Sequence, residues 1–124
     1  MAMETKTAAG RQTIERYGRA MFRISGKEFQ TSVIVLPERT LAWDVREFAD
    51  IAPLTLDAAI ADGGIDVLLL GCGPRMQMPA PELRAALKAH GIALEPMDTG
   101  AACRTYNLLA AEERRVAAAL IALI

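Results

Sequence analysis

Few residues in this chain have side chains that could break or form covalent bonds. It holds one histidine, His90, and two cysteines, Cys72 and Cys103. A Ser-His-Asp or Cys-His site would need His90 as its base. That histidine closes a helical pattern just before Gly91, where an imidazole meets last-turn carbonyls or solvent. One histidine and two cysteines without ligand spacing do not make a structural zinc site, so no metal is expected. Met97-Asp98-Thr99-Gly100-Ala101 matches the short aspartic-protease signature, in which two carboxylates share one proton. That fold is all-β and carries its triplet early in the chain, whereas here the triplet comes late and opens an alanine-rich helical segment. Asp98 or Thr99 is therefore read as a helix N-cap, and Gly100 as a point of close packing. Gly71-Cys72-Gly73 follows an apolar run, as a dinucleotide-binding turn does. The third glycine of that fingerprint would fall at Met76, and Pro74, Pro79 and Pro81 delay the helix. The segment reads as a tight loop, there is no Walker sequence, and no cofactor is expected.

A geometric idea remains. In open parallel sheets, ligands settle in the crevice beyond the carboxyl ends of the strands. The loops around Gly71 and Gly73 and around Asp98, Thr99 and Gly100 would share that rim if their strands are neighbours. The helix starting near Gly100 would direct free N–H groups there. Arg104 and Asn107 follow on the face of Gly100. Together these seven residues could hold a carboxylate, a phosphate or a partner's acidic side chain. Alternatively, Arg104 and Asn107 lie on an ordinary solvated face, with Asn107 bonding a neighbouring loop. A redox role for Cys72 would require a fast-reacting thiol at neutral pH.

The elements that must position these residues follow from periodicity. Phe22 and Ile24 alternate with Arg23, Ser25-Gly26-Lys27 makes a turn, and Phe29, Thr31, Val33 and Val35 continue the period-2 pattern of a hairpin. Pro37-Glu38-Arg39 turns the chain toward Leu41-Ala42-Trp43. Thr55 can cap a short helix bearing Leu56, Ala59 and Ile60, stopped at Gly63-Gly64. Ile65–Leu70 reads as a strand buried on both faces. Pro81 opens a helix with Leu83, Ala86 and Leu87 inside and Gly91 as its cap. Ile92–Met97 is the next strand, a helix runs from Gly100 to about Ala110, and uniformly apolar Val116–Ile124 is a third buried strand. This order predicts an α/β domain with a small Rossmann-like parallel core sheet and an antiparallel N-terminal hairpin extension. Residues 1–12 read as a flexible N-terminal segment and 13–124 as one domain. Trp43 and Tyr106 read as core or half-core residues.

Composition narrows the function classes. The chain has 124 residues, 52% hydrophobic and 23% charged, which is a globular balance. Fourteen basic side chains stand against fifteen acidic ones, without the basic excess that phosphate binding demands, so no nucleic-acid partner is expected. Met1–Gln12 has no apolar stretch to act as a signal peptide. Val116–Ile124 is about half of the roughly 20 residues that a membrane span needs. A cytoplasmic protein without membrane insertion is the expectation.

Several stretches then carry a resemblance: Phe22-Arg23-Ile24-Ser25-Gly26, Val33-Ile34-Val35-Leu36-Pro37, Trp43, Asp66–Gly73, Met97–Asn107 and Arg114-Arg115-Val116-Ala117-Ala118. They closely resemble a small domain-of-unknown-function family, Mth938-like, across about residues 14–123. That family includes the mitochondrial assembly factor 3 of respiratory complex I and an adipogenesis-associated animal protein. The resemblance implies a three-layer α/β fold and a role in assembling a multi-subunit enzyme, with a respiratory complex subunit or assembly factor as protein partner. It supplies no catalytic residues. Where a Gly-Thr-Gly loop is expected after the central strand, Cys72 replaces the hydroxyl donor. Without a targeting segment, a bacterial-type cytoplasmic relative is implied. The sequence therefore favours a non-catalytic binding or assembly module. The alternative is a small-anion-binding protein or enzyme using the strand-end crevice.

Overall fold

The computed structural model describes residues 10–124. Five strands form one mixed sheet in the order β5-β4-β8-β6-β7: β4 (Val33–Val35), β5 (Thr40–Ala42), β6 (Val67–Gly71), β7 (Ala93–Met97) and β8 (Val116–Leu120). β6 runs parallel to both β7 and β8, with Leu70 opposite Pro96 on one side and Ala119 on the other. β4 joins β8 antiparallel and β5 extends that edge. A second sheet, β1 (Ile14–Gly18), β2 (Met21–Ile24) and β3 (Lys27–Phe29), is wholly antiparallel.

The uniformly apolar segments become the inner strands because both sheet faces are covered. Leu68 and Leu70 of β6 enter one core with Leu83 and Leu87 of α2 (Pro81–Lys88) and Ala59 of α1 (Asp57–Asp62). Leu69 enters the other core with Ala102, Cys103 and Tyr106 of α3 (Thr99–Ala111) and with Phe22 and Ile24 of the small sheet. Burying each of these leucines is worth about 1.5–3 kcal/mol relative to exposure. A polar residue anywhere in β6 would therefore be costly. The α/β architecture thus has three layers, with α1 and α2 on one face and α3 with the small sheet on the other. α3 is itself covered twice: it packs on β6 and β8 and also meets β1. Its buried positions accordingly form two adjacent stripes.

Local chemistry explains most boundaries. Gly63 and Gly91 take the left-handed conformation after their helices, at φ 73° and 75°. Thr55 does not cap α1. It lies within a 3₁₀ turn (Pro53–Leu56), where its hydroxyl donates to Ala52 O at 2.8 Å, and the helix starts at Asp57. The period-2 run from Phe29 to Val35 is not one strand either. It breaks at Gln30–Ser32, so β3 closes the small sheet and β4 crosses to the large one. Ser32 works at that junction, its Oγ accepting from Ala122 N at 3.0 Å. The last apolar run is a strand only to Leu120; beyond it the chain follows the rim and Leu123 bridges to Arg19.

Residues 1–9 of the segment read as flexible lie outside the described residues. Arg11 and Gln12 are tied into the fold. Arg11 Nη1 donates to Arg114 O at 2.6 Å, Gln12 N to Pro37 O at 2.8 Å, and Tyr106 Oη to Gln12 O at 3.1 Å. Trp43 is buried and donates from Nε1 to Thr55 O at 2.7 Å. Among the described residues no helix is long and apolar enough to cross a membrane.

Candidate functional site

Three parallel strands bring their trailing residues to one rim: Cys72 and Gly73 after β6, Asp98 and Thr99 after β7, Ile121 after β8. Thr99 ties all three together. Its Oγ1 donates to Ile121 O at 2.8 Å and accepts from Gly73 N at 2.9 Å, while its own N–H donates to Gly73 O at 2.9 Å. The side chain is fully buried. Gly71 is required by the same junction: a Cβ there would stand 2.9 Å from Leu120 Cδ2 and 3.1 Å from the Thr99 Cα. Gly73 sits at φ 95°, which favours glycine.

Asp98 is the N-cap of α3, its Oδ1 accepting from Ala101 N at 2.8 Å. Gly100 allows Tyr17 to approach, since a Cβ would lie 3.1 Å from the Tyr17 Oη. That hydroxyl accepts from Arg104 Nη1 at 2.6 Å, and Arg104 is otherwise exposed at the outer face of α3. Asn107 is fully buried and does not face the rim. Its Nδ2 donates to Ile14 O at 2.7 Å and its Oδ1 accepts from Ile14 N at 3.0 Å, so it pins β1 to the helix. Of the seven sequence-derived residues, Gly71, Gly73 and Thr99 meet at the rim. Asp98 and Gly100 adjoin them, Arg104 pairs with Tyr17, and Asn107 lies in the interior between α3 and β1.

An open cleft of about 420 Å³ lies at this rim on the side of Cys72. Its walls come from Cys72, Gly73 and Gln77, from the segment Arg46–Ala49, and from Ile121–Ile124. Only Gly73 of the seven lines it. Arg46 and Phe48 carried no signal in the sequence, because neither stands in a motif or in an element with clear periodicity. The loop after Gly73 was visible as a proline-punctuated segment, and it exposes Met76 and Met78 (51% and 67%).

The thiols are protected. Burial raises the Cys72 thiol above its ordinary value, and its Sγ donates to Leu70 O and Gln77 O at 3.5 and 3.6 Å. Cys103 is buried within the α3 core, and burial pushes its thiol up to about 12. Both disfavour thiolate at neutral pH. His90 is exposed in the turn after α2. Among the described residues no cluster of three or more His, Cys, Asp or Glu could hold a metal ion.

The sequence profile of a family described as protein of unknown function (DUF498/DUF598) matches residues 14–121. The chain belongs to this family. A zebrafish (Danio rerio) relative, NADH dehydrogenase [ubiquinone] 1 alpha subcomplex assembly factor 3, is 38% identical over 96% of this chain and 68% of its own length. Of further vertebrate proteins with that name the chain spans 59–64%. Two solved bacterial structures share the fold at high similarity. A Bordetella pertussis protein, described as a Mth938-like domain, is 31% identical with a TM-score of 0.82, covering 98% of this chain and 92% of its own. A Bartonella henselae protein, described as an outer membrane protein, is 34% identical with a TM-score of 0.86, covering 93% and 98%. The resemblance read from the sequence and the three-layer α/β expectation are thereby borne out.

Proposed function

We propose that this chain is a non-catalytic binding module that helps assemble a multi-subunit respiratory enzyme through protein contacts in the cytoplasm. The observation that carries this reading is the 38% identity to an assembly factor across 96% of the chain. The side-chain chemistry points the same way. Asp98, Thr99 and Asn107 spend their hydrogen bonds on the fold's own backbone, and both thiols are held protonated. Co-purification from the native host tests the reading. A defined partner, such as a peripheral subunit of the respiratory complex, is expected; repeated recovery of the protein alone overturns it. Fractionation tests the location, because recovery with outer membranes, as the Bartonella henselae protein is described, would exclude the cytoplasm.

The second reading is a small-anion-binding protein or enzyme using the rim at Gly71, Gly73, Asp98, Thr99 and Gly100 with Arg104 beside it; Asn107, turned into the interior, takes no part. Its support is the meeting of the three strand ends at one rim, with the exposed Arg104 guanidinium on the helix that starts there. A thermal-shift screen with anionic metabolites separates the two. A ligand at a hundredfold excess over its Kd adds about 2.7 kcal/mol, and the Arg104→Ala variant should lose that gain. Absence of any shift retires this second reading.

A further inference from the structure

A short groove opens on the α1–α2 side of the molecule, where α2 begins. Phe48, Ala49 and Ile51 form one wall and Pro79, Ala80 and Leu83 the other, around a cleft of about 210 Å³. All six side chains are apolar. Phe48 and Ile51 pack on the core beneath and stay half-buried, while the methyl groups of Ala49 and Ala80 are exposed. The 3₁₀ turn Pro53–Leu56 packs beside α2 and carries Leu54, which is 77% exposed. Met78, next to Pro79, is 67% exposed. Apart from Ile124, these two are the most exposed large apolar side chains of the described residues. The apolar surface thus continues beyond the groove at both sides.

The charge around it has one sign. Glu47 and Asp50 flank the first wall, Asp57 follows Leu54 at the start of α1, and Glu82 flanks the second wall in the first turn of α2. All four are exposed. The ion pairs of the described residues are Arg23–Glu15 and Arg115–Asp66, so none of the four is neutralised by one. Asp50 keeps a local bond, accepting from Glu47 N at 3.3 Å. The nearest bases in the chain are Arg46, which lines the rim cleft on the other side of Phe48, and Arg75 on the loop before Met78. The whole chain has a formal charge of only -1, so this acidic excess is local.

We infer that this groove docks a basic amphipathic helix of a partner protein, one apolar side chain anchored between Ala49 and Ala80 and its Lys or Arg residues over Glu47, Asp50 and Glu82. The inference rests on reading the chain as a protein-contact module, and it adds the surface and the chemistry of what that surface recognises. The cleft lies below the roughly 300–1,000 Å³ of a small-molecule site, which suits a single side-chain anchor instead. It runs between helical elements and not along a strand edge, so a helix laid in the groove is the fitting geometry. Exposed Leu54 and Met78 extend the contact with adaptable apolar surface, and the acidic flanks select a basic partner over a neutral or acidic one.

The probe is a fluorescein-labelled amphipathic peptide, two repeats of Leu-Lys-Lys-Leu-Leu-Lys-Leu, followed by anisotropy with the full chain. One control replaces every Lys by Gln; a second keeps the composition and scrambles the order, which removes the apolar face. The lysine peptide is expected to bind at least about tenfold tighter than either control, and more weakly as salt rises. Ala49→Trp fills the groove from an exposed position and should cost about tenfold or more, with an unchanged urea midpoint. Amide shifts on titration of the wild type should concentrate at Phe48–Ile51 and Pro79–Leu83, a readout that needs no variant. Equal affinity for either control, an unaltered affinity in folded Ala49→Trp, or shifts lying elsewhere would each overturn the groove. The two readings fail separately. If Ala49→Trp still co-purifies the wild-type partner, the groove falls and the assembly role stands. If the wild type recovers no partner yet binds the lysine peptide at the groove, the assembly role falls and the groove stands.

Discussion

Asn107 lies in the interior with its carboxamide bonded to both backbone groups of Ile14. Replacing it by alanine leaves a buried N–H and a buried C=O without those partners, at about 1–3 kcal/mol each. Asn107→Ala is therefore expected to lower unfolding stability by about 2–5 kcal/mol in urea titrations, and a loss below about 1 kcal/mol would contradict the assignment. Cys103 makes a different statement, about pH. Its thiol ionises near 9.0 when unfolded and near 12 when buried. The contribution is thus fully present below 9.0 and lost as pH rises through the window up to 12, because the unfolded chain releases its proton first. Urea midpoints should fall across that window, and Cys103→Ala should flatten the slope. An identical slope in the variant would exclude Cys103 as the source.

At the scale of elements, the junction of β6, β8 and α3 leaves no room for a side chain at Gly71. Gly71→Ala sets a Cβ against Leu120, which can rotate, and against the Thr99 backbone, which cannot. A loss of about 1–3 kcal/mol is expected from calorimetry, with the shift visible in the Thr99 and Ile121 amide resonances. Elements marked by an apolar run, a cap or a helical stripe were legible in the sequence: β6, β7, β8, α2 and α3 all appear where those signals place them. β1 was not legible, and its geometry says why. A register shift between Ile14 and Arg16 lets Ile14 and Tyr17 both point inward, three apart, so no period of two survives. Likewise the smooth alternation from Phe29 to Val35 conceals a change of sheet, because alternation records which face is buried and not which neighbour is paired. At the candidate site, caps and glycines were readable from local conformation. The inward turn of Asn107 depended on β1, a strand that the pattern did not disclose.

At the scale of the whole molecule, two cores lie on opposite faces of one sheet. Trp43 reports the α1–α2 side and Cys103 the α3 side. β6 and β8 supply alternate residues to both: Leu68, Leu70, Ala117 and Ala119 to one, Leu69, Val116, Ala118 and Leu120 to the other. Neither core can dissolve without removing a wall of its neighbour. Trp43 fluorescence and Cys103 alkylation should therefore report coincident urea midpoints, and two separated transitions would show that the faces unfold independently.

The central strand β8 carries Ala117, Ala118 and Ala119 in succession, every one fully enclosed. Alanine has no rotamers to freeze, so ordering the middle of the molecule costs this strand essentially no side-chain entropy. Methyl groups are also short: that of Ala118 lets α3 settle nearer to the sheet than a leucine would, and those of Ala117 and Ala119 do the same for the layer of α1 and α2. The strand thus acts as a thin spacer whose contribution is the distance it sets. Widening it by a single isopropyl group would push outward whichever layer rests on that alanine.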